Sequence, residues 1–274
     1  MSLINNKYKI IKIIGSGSFG TIFKGENIRT NEKVAIKVEL ISNELKLLKY
    51  ETNIYKILGN ISGVPKIKWY GKDNTYYYMV LDLLGDSLEK ILELSGCFKM
   101  KTVLQIGINV LNILMNIHGK GFIHRDIKPE NFLLTITRPK KLYIIDFGIS
   151  KPFIINDKHI EPKMTHQFIG TQNFASINTH EFYEQSRRDD LESLAYMLIC
   201  FYFGKLEWMN SNIIFSNRDE ENIFVKNKKK DLVNNENIPK ILMDYYKSVL
   251  TLGFDEKPDY SKFIKTFTNE LENL

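Results

Sequence analysis

An acid (Asp126), an ammonium (Lys128) and an amide (Asn131) fall within His124-Arg-Asp-Ile-Lys-Pro-Glu-Asn131, a stretch that Pro129 keeps from running on as a helix. A second acid opens Asp146-Phe-Gly148 at the end of the apolar run Leu142 to Ile145, and Gly148 allows a sharp turn there. Two carboxylates and an Asn at the ends of neighbouring strands suit a hard cation bound through oxygen, and magnesium usually arrives carrying phosphates.

Two further features point to phosphate. Gly15, Gly17 and Gly20 in Gly15-Ser-Gly-Ser-Phe-Gly20 let a hairpin fold closely over something flat or anionic, and Ile22 follows where a branched side chain would cover an adenine. The glycines sit between two strand-like runs, which disfavours a dinucleotide motif leading into a helix. Val34-Ala-Ile-Lys37 then ends an apolar strand in a lysine, which is costly to bury unpartnered. Glu51 lies in the apolar stripe of the next helical segment and is the partner expected for Lys37.

The elements that must position these residues can be read along the chain. Tyr8 to Ile14, Thr21 to Lys24 and Lys33 to Leu40 read as a three-strand meander. Asn43 to Leu58 has helical spacing, with Leu47, Leu48, Ile54, Tyr55 and Leu58 on the face of Glu51. Lys66 to Tyr70 and Tyr76 to Leu81 read as strands, and Asp82 to Gly85 as a hinge. Asp86 with Glu89 makes a capping-box signature for a helix through Leu94. Met100 to His118 follows as a long helix with Val103, Leu104, Ile108, Leu111, Met115 and Ile117 inward and Asn109, Asn112 and Asn116 solvated.

Lys151 to Thr171 reads as a long irregular functional loop, and Gln185 to Phe203 as a helix from the middle of a lobe. Asp190 near its start could hold the His124–Asn131 backbone or serve as an N-terminal dipole partner. Helices from Pro239 to Leu252 and from Tyr260 onward close the pattern.

Composition bounds the rest. The chain of 274 residues is 43% hydrophobic and 12% aromatic, enough for a sizeable core and against disorder. Cys97 and Cys200, the only cysteines, read as reduced thiols of an intracellular protein. Met1 to Lys9 lacks a signal-peptide core and the longest apolar run, Leu194 to Phe203, is too short to span a bilayer, so a cytoplasmic or nuclear location without a membrane partner is expected. The net charge of +6 favours anionic partners without naming one.

Several strings carry a resemblance: the glycine string, Trp69-Tyr-Gly71, Leu83-Leu-Gly85 with Ser87-Leu88, Gly121-Phe-Ile-His-Arg-Asp-Ile-Lys-Pro129 and Gln185-Ser-Arg-Arg-Asp-Asp-Leu-Glu-Ser-Leu194. Ala175-Ser-Ile-Asn-Thr-His180 stands where most protein kinases have Ala-Pro-Glu. Over essentially its full length the chain resembles the casein kinase 1 family of serine/threonine protein kinases.

The resemblance implies a single α+β, bilobal kinase domain over residues 1–274. Its β-rich N-lobe with one main helix would span 1–81, the hinge 82–85 and the larger, mostly helical C-lobe 86–274. It implies ATP and Mg²⁺ as cofactors, with Asp126 as base, Lys128 as clamp on the transferred phosphate, and Asn131 and Asp146 as metal ligands. Lys37, paired to Glu51, would hold the α and β phosphates. Ile14, Gly15, Gly17, Gly20, Ile22, Ala35, Leu81, Asp82, Leu84, Leu133 and Ile145 would form the rest of the nucleotide site.

It further implies protein substrates with acidic or phosphorylated residues upstream of the acceptor Ser or Thr, and a monomer. The matching anion pocket would comprise Lys163, His166, Asn173, Lys228 and Lys229. The family's arginine is Asn173 here and a nearby family lysine is His166, so dependence on a primed substrate is expected to be weaker. The cluster Lys226 to Lys230 also reads as a solvated face or a nuclear-import tag. The close of the sequence soon after the last helix gives the expectation of constitutive activity.

Three rivals stand beside this reading. A catalytically impaired kinase fold could act as a scaffold or regulator. A small-molecule kinase would have less use for the long loop before Thr171. A nucleic-acid module fits poorly, because the basic residues are dispersed and no base-stacking aromatic pattern accompanies them.

Overall fold

The computed structural model describes residues 3–17, 20–43, 46–209 and 213–274. They fall into two units, Met1–Asp86 with Leu133–Gly148, and Ser87–Phe132 with Ile149–Leu274. The linear division expected at 82–85 leaves Leu133–Gly148 with the second unit. Backbone pairing draws it to the first: Gly85 donates to the Leu134 carbonyl at 2.7 Å, and Ile144 to that of Gly63 at 2.8 Å.

In the first unit, β1 (Tyr8–Gly17), β2 (Gly20–Asn27), β3 (Glu32–Leu40), β4 (Ile67–Lys72) and β5 (Tyr76–Asp82) form one antiparallel sheet in the order β1-β2-β3-β5-β4. Alternation along β3 sends Val34, Ile36 and Val38 to a face shared with Tyr8, Tyr78 and Val80. Ala35 and Lys37 therefore take the opposite face. Each such aliphatic side chain, when fully buried, contributes about 1.5–3 kcal/mol, so the register of the lysine is fixed by its neighbours.

The one helix of this unit among the described residues, α1, spans Leu47–Leu58, later than the expected start at Asn43. Glu44 and Leu45, within that expected first turn, lie outside the described residues, as do Ser18 and Phe19 of the glycine string. The cap comes from a distant residue: the Leu47 and Leu48 N–H groups donate to the two oxygens of buried Glu39, each at 3.1 Å. Leu48, Glu51, Thr52, Ile54, Tyr55 and Leu58 are buried, while Leu47 is only half-buried.

The second unit is helical. Its elements are α2 (Leu88–Ser95), α3 (Met100–Gly119), α4 (Ile177–His180), α5 (Arg187–Phe203), α6 (Arg218–Asp231), α7 (Lys240–Leu250) and α8 (Tyr260–Glu272). Ser87, not Asp86, caps α2, accepting from the Lys90 N–H at 3.2 Å. The start of α5 is set by a capping box in which Ser186 and Asp189 satisfy each other's backbone N–H groups.

Every residue of α5 from Asp189 to Phe201 is buried, as expected of a central helix, and α3 packs against both α5 and α8. By length and composition α3 could cross a bilayer, but its buried positions from Val103 to His118 are those of a core helix. Ile108 and Met115 are half-buried, whereas Asn109, Asn112 and Asn116 are exposed as expected. The loop expected to be irregular from Lys151 contains three very short strands, Lys151–Pro152, Ile154–Ile155 and Lys158–His159. Neither cysteine is paired: Cys97 is exposed and Cys200 buried.

Candidate active site

The His124–Asn131 stretch is held from behind by one carboxylate. Asp190, buried near the start of α5, accepts from the His124 N–H at 2.7 Å and the Arg125 N–H at 2.9 Å, and lies 2.9 Å from Nε2 of buried His118. Of the two readings open for Asp190, the backbone holder is the one found. Arg125 takes a left-handed backbone with φ of 71° and its Nε donates to the Ile149 carbonyl at 2.6 Å. Burial drives the Asp190 carboxyl up, but His118, His124 and the backbone donors outweigh it and hold it below its ordinary value.

On the far side of this loop Asp126 is gripped on both oxygens. Thr171 donates to Oδ1 at 2.7 Å, while the Lys128 ammonium lies 2.9 Å and the Asn131 amide nitrogen 3.1 Å from Oδ2. Lys128 also donates to the Thr171 hydroxyl at 2.7 Å. The result is an acceptor-only carboxylate with its direction fixed, suited to taking a proton from an incoming hydroxyl. Pro129 opens the short 3-10 turn Pro129–Asn131, which returns Asn131 to Asp126.

Thr171 was not singled out from the sequence. Its signal was present in Gly170, which has φ of 117° and where a Cβ would lie 2.7 Å from the Arg125 carbonyl oxygen. Only glycine permits that approach, and it delivers the next residue to Asp126.

In the first unit, Lys37 on β3 lies 2.7 Å from Glu51 on α1 and 3.2 Å from Asp146. Burial works against the Lys37 charge, but the two carboxylates overcome it and raise the group. Burial likewise raises Glu51 against the pull of Lys37. We read the Lys37–Glu51 pair as ionised, because a 2.7 Å ammonium–carboxylate contact favours the charged lysine.

Asp146 has φ of 68°, and its N–H donates to the Tyr55 hydroxyl oxygen at 3.2 Å. The next side chain, Phe147, is fully buried edge-on to Tyr55, with centroids 4.9 Å apart. Thus α1 positions both Glu51 and Asp146.

The other expected nucleotide contacts of this unit lie along its strands and the Leu133–Gly148 segment. Gly15 pairs with Ile22 and Gly17 with Gly20 across the hairpin, and Ala35 pairs with Leu81. A Cβ on Gly20 would lie 2.4 Å from the Val38 carbonyl oxygen, so this close approach requires glycine. Ile14 is exposed, whereas Leu84, Leu133 and Ile145 are half-buried. Asp82 also has a local structural task, accepting from the Lys66 N–H at 3.0 Å and pairing with Lys68 at 2.8 Å.

Each unit by itself keeps an oxygen donor suited to a hard cation that comes with its phosphates. Among the described residues there is no cluster of three or more His, Cys, Asp or Glu that could cage a metal. The Asn131 amide nitrogen is spent on the Asp126 carbonyl and carboxylate, which leaves its oxygen as the atom to offer a cation. The Asp146 side chain keeps 24% exposure. Amide and carboxylate oxygens are hard donors, of the kind accepted by a divalent cation that keeps waters and substrate phosphates in its shell.

The expected anion pocket does not survive in full. Lys229 is 0% exposed, and its ammonium donates to the Gln172 carbonyl at 2.9 Å, the Ala175 carbonyl at 2.6 Å and His180 Nε2 at 2.9 Å. Its three donors are used, so it cannot read a substrate phosphate, and for this residue the solvated-face reading also fails. Lys228 is half-buried with its ammonium 6.0 Å from the Phe224 ring centre. Lys163 is exposed at 3.9 Å from Glu184, His166 is exposed, and half-buried Asn173 accepts through its carbonyl from Trp208 Nε1 at 2.9 Å.

A five-stranded sheet with a lysine–glutamate pair, and a helical unit that grips an acidic side chain in a buried loop, define a phosphotransferase of kinase type. The family model of the protein kinase domain matches residues 8–268, and the chain belongs to that family. ATP and a divalent cation are the cofactors that membership implies.

Proposed function

We propose that this chain is a catalytically competent serine/threonine protein kinase of casein kinase 1 type, transferring the γ-phosphate of ATP to protein hydroxyls. The observation that carries the catalytic reading is Asp126, whose two carboxylate oxygens are held by Thr171, Lys128 and Asn131. In this reading Asp126 accepts the proton of the attacking Ser or Thr hydroxyl, and Lys128 beside it balances charge on the transferred group. Lys37, held by Glu51, binds the α and β phosphates. Asp146 of the first unit and Asn131 of the second would each offer an oxygen to Mg²⁺, which when bound would offset phosphate charge.

The casein kinase 1 assignment rests on the strings quoted above, chiefly Ser176-Ile-Asn-Thr-His180. Substrates with acidic or phosphorylated residues upstream follow from it. With Asn173 in place of an arginine and Lys229 occupied inside the protein, the preference for a primed substrate is weakened by about ten- to a hundredfold, the value of one lost charge-assisted contact.

The test is Mg²⁺-dependent transfer of labelled phosphate from ATP to casein, and to paired peptides with and without a phosphate three residues upstream of the acceptor. Transfer with little difference between the paired peptides is the expected result. A strict requirement for the upstream phosphate would overturn the weakened preference, and no transfer from ATP under any condition would leave the scaffold reading in its place.

A further inference from the structure

Lys229 is a fully buried lysine on α6, and the Glu192 charge acts in favour of its protonated form. It has three acceptors and lies over the Tyr196 and Trp208 rings, 4.7 and 5.4 Å from their centres. Burial pushes Lys229 well below its ordinary value against the pull of the Glu192 charge, but three acceptors call for three N–H donors and two ring faces favour a cation, so we read the group as an ammonium. As lysine can only donate, His180 Nε2 must accept. The His180 proton then sits on Nδ1, 2.5 Å from the Asn222 side-chain oxygen.

The two carbonyls taken by Lys229 belong to the turn that starts at Thr171. In this turn the Phe174 and Ala175 N–H groups both donate to the Thr171 carbonyl at 2.9 Å, and Trp208 Nε1 takes the Asn173 carbonyl at 2.9 Å. Three buried or half-buried carbonyls that would otherwise want water are thus hung from Lys229 and Trp208. The next residues are tied to α5: Ser176 donates to Asp189 at 2.6 Å, and the Ile177 N–H to Glu192 at 2.7 Å.

We infer that Lys229 is a positioning residue for phosphoryl transfer: by clamping the Gln172 and Ala175 carbonyls it fixes the turn that presents Thr171 to Asp126. This rests on the kinase reading above. Lys229 touches neither Asp126 nor Lys128, and acts through the peptide backbone of 171–175.

The experiment compares the full-length wild type with Lys229→Met, which keeps the length and loses the donors, and Trp208→Phe, which keeps a ring and loses one donor. Amide hydrogen exchange of Phe174, Ala175 and Ile177 is measured beside kcat and the KM values for ATP and for a casein acceptor. The expected result for Lys229→Met is faster exchange confined to these amides and a kcat lower by about 10- to 100-fold, the scale of an ångström-sized misplacement of a reacting group, at unchanged KM for ATP. Trp208→Phe should shift the same readouts in the same direction by less.

Unchanged exchange at these amides would overturn the clamp, and faster exchange with unchanged kcat would overturn its link to Asp126. Exchange that also quickens throughout α3 and α7 would mark a general structural role and overturn the assignment. Should Lys229→Met fail to fold, Trp208→Phe decides by the same criteria. An inactive wild type would overturn the kinase reading, while the exchange comparison would still decide the clamp.

Discussion

Acid should loosen the second unit through His180, and the structure gives the size of the effect. The ring is buried, its Nε2 accepts from Lys229, and Lys226 adds a further positive field. Burial first, and then the Lys229 charge, push His180 from its ordinary 6.5 down to about 3, against smaller opposing contributions from Asn222 and Gln172. The unfolded chain therefore binds a proton that the folded chain refuses. Stability from this group is complete above pH 6.5 and is lost as pH falls toward the folded value near 3.

At pH 5 the gap from the unfolded value is 1.5 units, and at 1.36 kcal/mol per unit the loss is about 2 kcal/mol. His180→Gln can keep an acceptor toward Lys229 and a donor toward Asn222 but cannot take the proton. Urea denaturation of both proteins at pH 7 and pH 5 measures the effect. Wild type should lose about 2 kcal/mol more than the variant between the two. Equal losses in the two proteins, at equal denaturant slopes, would refute the assigned tautomer and the burial argument together.

Asp126→Asn should lower kcat by about 10²–10⁴-fold while nucleotide affinity, measured by equilibrium binding of a fluorescent ATP analogue, stays within the wild-type range. Asp190→Ala leaves the His124 and Arg125 N–H groups and His118 without their shared acceptor. It should cost about 3–5 kcal/mol in denaturant unfolding, and a cost below about 1 would refute its role as the holder of the loop. Glu39→Ala removes the remote cap of α1 and should lower unfolding free energy by about 1–2 kcal/mol. Because α1 carries Glu51, the same variant should also weaken ATP binding, which titration calorimetry would show.

The chemistry-bearing residues were legible in the sequence because their kinds and spacing are dictated by local needs. Glycines where β1 and β2 approach closely, a proline after Lys128 and a lysine ending the apolar β3 run are set by backbone and solvation physics that acts over a few residues. Periodicity likewise yielded β1 to β5 and α3, since a face buried on one side imposes period two or 3.6 on its own segment, whereas α5 was legible as a nearly all-apolar run. The pairing of Lys37 with Glu51 could be inferred because a buried charge must find its opposite.

What only the tertiary structure decided is which distant groups satisfy one another. Glu39 caps α1 across a loop, Thr171 reaches Asp126, Leu133–Gly148 joins the first unit, and Asp190 serves as acceptor for the His124–Arg125 backbone. Lys229 is the sharpest case: beside Lys228 and Lys230 it reads as one more surface charge, yet it is sealed inside against two carbonyls, an imidazole and two rings. Sequence states that a lysine needs acceptors; whether they are water, a substrate phosphate or its own backbone depends on which surfaces close over it, and that is settled only when the chain has packed.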